Sequence, residues 1–562
     1  MDKEKRTGYP SIDKPWLDYY KNVKHIEFPK MTKNDYIRSK KIDPNLVALE
    51  YLGKKVSYGE LDKIIIDYAK KLETLGVKED DSVALCMPNT IESAELSLAI
   101  NEKCAVCNNI FPLSNPNEIK YCLNLLNSEI IFILDSKLDD LNQIISETNV
   151  KKVFVVTPFE SIPIINFFYK ALTCKKIKKN KNIEYYSFKD FKNIQIINYE
   201  KPVYKENRLT SVQYTSGTTG LPKAVALTDD CFNARAYQYE QINVGLENGL
   251  RFLQCLPYCG KAYGEFTMHL GLSNGCCNVL VPKFTSNDLL KLIRKLDIQG
   301  LTMPPVAWLH VIDMPEFKKT DFSNFKLATV GGDGSIEKYI RMIQTALEKQ
   351  GFNGQVILGS GGTELGVTFS TNTLDVNIEG TSGPILVGND CVIKKENDEY
   401  CKYNEMGIIY YKPVYPSLGY LNDCEYNLTN DGIDLGDYGF IDEKGALTVA
   451  GRRKDRININ GELISPMCLE IEINKCPYVK YGYVVSPKNS EKRIRICYTT
   501  YNNQPKNYDL EILRFINKKY HEFIEIYKVK FIPETVGLKV DRERLSGNID
   551  DLMVIEHNKG LH

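Results

Sequence analysis

From Leu46 to about Asp135, short apolar runs rich in strand formers alternate with stretches of helical periodicity, and this alternation restricts the fold more than any other feature. Val83-Ala-Leu-Cys-Met87 reads as a buried strand and Thr90 to Asn101 as the helix after it, with Asn89-Thr90 supplying N-cap chemistry. Repeated strand-helix units build parallel sheets. The pattern resumes at Ser211-Val-Gln-Tyr214 and continues through Phe252 to Ile312 and Leu327 to Phe369. Within it, Asp288 to Leu296 carries Leu289, Leu292, Ile293 and Leu296 on one helical stripe. Beyond Gly380 the elements shorten into strands punctuated by Gly and Pro, among them Gly407-Ile-Ile-Tyr-Tyr411 and Ala446-Leu-Thr-Val449, which predicts a β-rich subdomain. After Gly451-Arg-Arg-Lys454 charge density rises and strands mix with helices, as expected of a separate C-terminal domain of roughly one hundred residues.

The 562 residues are too many for one hydrophobic core. Lys plus Arg and Asp plus Glu both total 72, so no net field steers the chain to nucleic acid or to an anionic membrane. The sixteen cysteines are scattered and no secretory pattern opens the chain, which predicts reduced thiols and a cytoplasmic location. Neither Cys104-Ala-Val-Cys107 nor Cys276-Cys277 has a second pair at zinc spacing. The most apolar stretch, Val153 to Leu172, is interrupted by Pro158, Glu160, Pro163 and Lys170, so it is expected to cover a subdomain surface rather than span a membrane. The Lys-rich segment from Lys175 to Glu206 reads as an insertion or exposed connector.

Five segments carry chemistry. The first is Tyr214-Thr215-Ser216-Gly217-Thr218-Thr219-Gly220-Leu221-Pro222-Lys223, whose glycines permit unusual backbone angles and whose hydroxyls offer donors to phosphate oxygens. Its spacing excludes the Walker loop, which needs four residues between its glycines and a lysine directly after the second. The second is Gly359-Ser360-Gly361-Gly362-Thr363-Glu364 after Val356-Ile-Leu358, where a strand delivers a hydroxyl and a carboxylate to one point. The third, Gly331-Gly332-Asp333-Gly334, is a weak signal by itself. The fourth, Asp434-Leu-Gly-Asp437, places a carboxylate that can accept two vicinal hydroxyls, or that caps a β-turn. The fifth is Pro533-Glu-Thr-Val-Gly-Leu-Lys539.

In this order, over roughly residues 45 to 545, the segments resemble those of the acyl-adenylating superfamily of acyl- and aryl-CoA synthetases, stand-alone peptide-synthetase adenylation domains and luciferases. The resemblance implies an α/β fold: a large N-terminal domain, residues 1–453, of two stacked α/β subdomains plus a β-rich one, then a small mobile α+β C-terminal domain, residues 454–562. It implies ATP and Mg²⁺, with CoA or phosphopantetheine as thiol acceptor. Carried onto this chain, the nucleotide falls to Thr215, Ser216, Gly217, Thr218, Thr219, Gly220, Lys223, Gly332, Asp333, Gly359, Ser360, Gly361, Asp437 and Arg452. Thr363 would touch the α-phosphate, Glu364 would hold the metal and Lys539 would be the catalytic lysine. Lys454 would be the hinge and Gly461 would face the thiol channel. An acyl pocket is implied at Tyr258, Cys259, Gly260, Lys261, Tyr263 and Gly331. Ser360 stands where the family usually has Tyr, and Leu538 where it has Gly.

The function so implied is ATP-dependent conversion of a carboxylic acid to an acyl-AMP and then a CoA thioester. Loading of a phosphopantetheine carrier protein, or a weakly active nucleotide-binding relative, are the alternatives. The segment Leu256-Pro-Tyr-Cys-Gly-Lys261-Ala-Tyr-Gly264 lacks the aspartate that pairs with an α-ammonium in amino-acid-activating relatives, which favours a fatty or aryl acid. Lys261 either attracts a second carboxylate or a polar tail of the substrate or extends to solvent, and the last is favoured.

Overall fold

The computed structural model describes residues 6–23, 26–173, 182–196, 199–215, 221–283, 285–334, 336–422, 424–488, 493–501, 506–535 and 537–553. Two large sheets form its body. One has seven strands in the order Glu184–Ser187, Lys152–Val156, Ile130–Leu134, Ser82–Cys86, Val106–Asn109, Leu209–Thr215 and Lys223–Thr228, all parallel except the last. The other has eight, in the order Val367–Thr371, Val356–Gly362, Leu327–Val330, Gly300–Met303, Arg251–Gln254, Cys277–Leu280, Val47–Tyr51 and Lys54–Ser57, antiparallel only at its two edges.

The helix Ile91–Glu102 shares a core with residues of both sheets, and every one of its residues is buried. Thr90 caps it by accepting from Ser93 N–H, as its sequence predicts. Asn89 ties this end to the second sheet, donating to Gln254 O and Leu256 O at 2.9 Å each. A helix enclosed on all sides should be apolar all round, yet this one carries Glu92, Glu95 and Glu102. Glu102 is paired with Arg38 (2.9 Å). Burial, with Glu92 as neighbour, pushes the Glu95 carboxyl up to about 8.

Beyond the second sheet, Asp390–Lys394, Gly407–Lys412, Leu428–Thr429, Gly432–Ile441 and Leu447–Arg452 form an antiparallel sheet, the expected β-rich subdomain. The C-terminal unit has its own sheet of Val479–Val485, Ile494–Thr500 and Ile524–Lys528. It rests on helices Pro305–Asp313 and Glu337–Glu348. Tyr339 Oη donates to Gly482 O (2.9 Å) and accepts from Gly482 N–H (3.0 Å). Lys338 Nζ donates to Asn474 O (3.0 Å) and Val479 O (2.6 Å), and burial draws its pKa down to about 8. Asp313 receives Lys480 (2.6 Å) and the Tyr481 hydroxyl (2.9 Å).

The segment read as an exposed connector is more than that. Strand Glu184–Ser187 extends the first sheet, and the helix Phe188–Lys192 after it buries Phe188 and Phe191 completely. Phe191 lies edge-on to Phe132 and Tyr68 at 5.0 and 5.1 Å. Two phenylalanines three apart supply a helical stripe, which the surrounding lysines conceal in a composition-based reading.

Candidate active site

The first segment is a hairpin connection. Strands Leu209–Thr215 and Lys223–Thr228 pair antiparallel with Thr215 opposite Lys223, so these two residues bracket the turn; Ser216, Gly217, Thr218, Thr219 and Gly220 lie outside the described residues. The hairpin is anchored below. Tyr214 Oη donates to Asn108 Oδ1 (2.7 Å), and Gln213 Nε2 donates to both Glu265 Oε2 (2.7 Å) and Tyr258 O (2.9 Å). Glu265 also accepts from Ser211 Oγ (2.6 Å) and pairs with buried Lys33 (2.5 Å). Buried charge is tolerated when it is paired and hydrogen-bonded; here Glu265 has partners on both carboxylate oxygens, Lys33 on one and Ser211 and Gln213 on the other, which locks the hairpin to the helix Ala262–Ser273.

The second segment departs from its expected shape, because the strand continues through Gly359, Ser360 and Gly361 to Gly362 and pairs antiparallel with Val367–Thr371. Ser360 Oγ lies 3.0 Å from Ser370 Oγ. Thr363 then opens a single 3₁₀ turn, Thr363–Leu365, which presents Glu364. Tyr420 Oη donates to Glu364 Oε1 (2.7 Å), and Lys223 Nζ sits 4.6 Å from the Tyr420 ring centroid. Burial, with Glu364 adding to it, raises the Tyr420 phenol well above its ordinary range. Tyr420 belongs to a segment that pairs with Lys223–Thr228, so the ring is held between the first and second segments. No motif signalled this tyrosine.

The fourth segment adjoins the second. A Cβ placed on Gly362 would stand 3.0 Å from Leu435 Cδ1. Asp437 lies within strand Gly432–Ile441 rather than capping a turn, and accepts from Tyr411 Oη (2.8 Å) and Arg452 Nε (3.0 Å). Burial raises its pKa, against the Arg452 guanidinium and the Tyr411 hydroxyl, which hold it down. Arg452 also donates to Leu435 O (2.6 Å). Each carboxylate oxygen can accept more than one hydrogen bond, so Asp437 retains capacity for a bound diol.

The third and fifth segments meet. Val540 N–H donates to Asp333 Oδ2 (3.2 Å), and a Cβ on Gly332 would stand 4.0 Å from Lys539 Cε. Lys539 therefore projects over the glycine turn. Its loop is closed by Thr535 N–H to Lys539 O (2.8 Å) and Leu538 N–H to Thr535 O (2.9 Å), with Leu538 at φ +62°. Leucine thus adopts the left-handed conformation that the usual glycine takes without strain. Glu534 fastens the loop to the body through Ser286 Oγ (3.2 Å) and His310 Nδ1 (3.3 Å), a latch no sequence motif revealed.

Gly331 in turn lies against Gly359, its notional Cβ 3.4 Å from Gly359 O, and Gly359 lines a cavity of about 30 Å³. The lining includes Tyr239, Tyr263, Thr267, Thr302, Thr329 and Thr371, and no carboxylate, lysine or arginine. Of the residues expected to form an acyl pocket, Tyr263 lines this cavity and Gly331 adjoins it. Tyr258 and Cys259 do not. Both are buried in the core around helix Ile91–Glu102, with Tyr258 Oη donating to Thr90 O (3.0 Å). Gly260 has φ +89° and packs so closely that a Cβ would stand 2.6 Å from that of Phe111, which accounts for glycine there. Lys261 is exposed in the cleft with Nζ 5.5 Å from the Phe111 ring centroid; crowding by protein, and then the Lys539 ammonium, lower its pKa.

Lys454 occupies the short 3₁₀ turn Arg453–Asp455, between the β-rich sheet and the hairpin Ile457–Ile459/Glu462–Ile464. Gly461 is at that hairpin's tip, where a side chain would meet nothing within 4 Å. In this arrangement Lys539, not Gly461, faces the glycine turn.

Among the described residues no cluster of three or more His, Cys, Asp or Glu could hold a metal. A single carboxylate, with one oxygen held by Tyr420, suits Mg²⁺, which binds one or two carboxylates and completes its shell with substrate phosphates and water.

Comparison with known proteins gives concordant findings. Residues 38–421 match the family model described as AMP-binding enzyme. The long-chain-fatty-acid–CoA ligase of Bacillus subtilis is 25% identical over 479 residues, covering 81% of this chain and 83% of its own. The 4-coumarate–CoA ligase CCL1 of Humulus lupulus is 24% identical over 503 residues, covering 86% of each. Among solved structures, an anthranilate CoA ligase in complex with anthranoyl-AMP superposes with a TM-score of 0.77 at 18% identity, covering 92% of this chain and 97% of that one. ATP-bound MatB from Rhodopseudomonas palustris gives 0.75 at 20% identity, with 92% and 99% covered.

Proposed function

This chain belongs to the AMP-binding enzyme family, and from that premise we propose that it activates a compact, uncharged aryl or short-chain carboxylic acid as an acyl-AMP and transfers the acyl group to CoA. The observation that carries this reading is Lys539 standing over the Gly331–Asp333 turn, beside the cavity that Gly359 lines.

A carboxylate and an α-phosphate repel as they approach, and an ammonium between them offsets the charge of the transition state. Lys539 would fill that role, while Asp437 would accept the ribose hydroxyls and Arg452 would orient Asp437. Thr215 and Lys223 bracket the turn that would meet the phosphates. Mg²⁺, held by Glu364, would neutralise phosphate charge when bound. For the thioester step Lys539 must leave and a thiol must enter. A rotation about Lys454 meets both needs, because a few backbone angles can swing a whole domain.

The cavity supports the choice of acid. As it stands, about 30 Å³ accommodates one or two waters, so the acyl group enters by displacing side chains such as Tyr239 and Tyr263. An ammonium or second carboxylate would lie there unpaired, at a cost of several kcal/mol. Hydroxyls of tyrosine and threonine favour a substrate with a hydrogen-bonding but uncharged body. CoA as acceptor is supported by the names of the curated relatives, which are CoA ligases.

The test is pyrophosphate exchange over aryl, short-chain, long-chain and α-amino acids, followed by thioester formation with CoA. Exchange is expected with aryl or short acids and not with amino acids. Exchange confined to long fatty acids would overturn the compact-acid assignment. No exchange with any acid, from folded protein, would overturn the enzymatic one.

A further inference from the structure

One surface helix is built in reverse. An amphipathic helix ordinarily buries its apolar stripe and turns its polar side to water. In Pro163–Thr173 the one buried residue is Asn166. Its Nδ2 donates to Glu160 Oε2 (2.9 Å), and its Oδ1 accepts from Thr157 Oγ1 (2.6 Å). Tyr169 Oη donates to Asp135 Oδ1 (3.2 Å), and Lys170 Nζ reaches Glu160 Oε1 (2.9 Å). The polar residues thus fasten the helix to the body.

The apolar residues face outward. Ile164 is 75% exposed, Phe167 70%, Phe168 61% and Leu172 86%. Spaced at i, i+3, i+4 and i+8, they share one face, along a helix about 16 Å long. Contiguous exposed apolar side chains of this size mark an interaction surface rather than ordinary solvent-facing protein.

The local charge distinguishes possible occupants. From Ser161 to Ile183 the sequence has lysines at 170, 175, 176, 178, 179 and 181 and no Asp or Glu, although the whole chain is neutral. An apolar helical face with flanking lysines matches an anionic lipid surface. The lysines after Lys170 lie outside the described residues, and a second copy of this chain would add the same positive charge rather than neutralise it.

We propose that helix Pro163–Thr173 is a peripheral membrane anchor, lying in the headgroup region of an anionic bilayer with Ile164, Phe167, Phe168 and Leu172 inserted. Among the described residues no helix is long and apolar enough to cross a membrane, so the attachment is to the surface. None of these side chains adjoins the candidate active site, so the anchor acts on location and not on the reacting groups.

The experiment is co-sedimentation of the full chain with phosphatidylcholine vesicles with and without phosphatidylserine. The comparison is with Phe167→Ser/Phe168→Ser, whose exposed positions leave folding intact, checked by melting temperature. The expected result is binding to the phosphatidylserine vesicles that weakens with salt and falls roughly ten-fold or more in the double variant. Failure of the parent protein to sediment with those vesicles overturns the proposal. So does equal sedimentation of the variant, or a parent dimer that the variant converts to monomer without any vesicle binding.

Discussion

The amide of Val540 donates to Asp333 Oδ2 at 3.2 Å. That bond joins the C-terminal unit to the glycine turn of the body and sets the preceding residue, Lys539, above Gly332.

Replacing the lysine separates two half-reactions. Lys539→Ala is expected to slow pyrophosphate exchange by roughly a hundred-fold or more, the effect of removing one charge-stabilising donor. Thioester formation from supplied acyl-AMP should largely survive. Asp333→Ala, which removes the acceptor but keeps the ammonium, should give a smaller loss in the same assay. If both half-reactions fall equally in Lys539→Ala, the lysine is not specific to adenylation.

Leu538 sets two effects against each other. Its left-handed backbone costs about 1–2 kcal/mol, which Leu538→Gly would relieve. The side chain is buried in the core shared by the body and the C-terminal unit, however, and deleting a buried leucine costs about 2–5 kcal/mol. Packing wins, so Leu538→Gly should destabilise by about 1–3 kcal/mol in denaturant unfolding. A rise in stability would show that strain dominates.

Glu95 makes stability depend on pH. Its folded pKa is raised to about 8 from an ordinary 4.5, chiefly by burial. The folded protein therefore binds this proton more tightly than the unfolded chain. The associated stability is complete below the unfolded value and is lost as pH rises through the folded one. Glu95→Gln should gain stability relative to the parent as pH rises, by up to a few kcal/mol. Unfolding curves at about pH 6 and about pH 9 measure this, and an equal effect at both values would rule out Glu95 as the titrating group.

Much of the body was legible because its signals are local. Val83 to Met87, the Thr90 cap and the stripe at Leu289, Leu292, Ile293 and Leu296 each declare themselves within a few residues, and the structure has strand Ser82–Cys86, helix Ile91–Glu102 and helix Ser286–Leu296 there. Among the described residues the second segment adjoins the third and the fourth, the third meets the fifth, and Tyr420 lies between Lys223 and Glu364. The cavity was not legible. Tyr239 comes from a helix, and Thr302, Thr329 and Thr371 from three different strands, so only the sheet's register brings their side chains together. Tyr258 was misjudged for a related reason. Its neighbours in sequence approach the cleft, but its own ring turns into the opposite core, and no local pattern records which way a loop residue points.

Tyr339 engages both backbone groups of Gly482, beside Lys338 on two further carbonyls. If the C-terminal unit turns about Lys454 between half-reactions, all four bonds must break together. At about 1 kcal/mol each, they favour the docked arrangement by a few kcal/mol, so the balance between the two half-reactions would be weighted at a surface remote from any reacting atom.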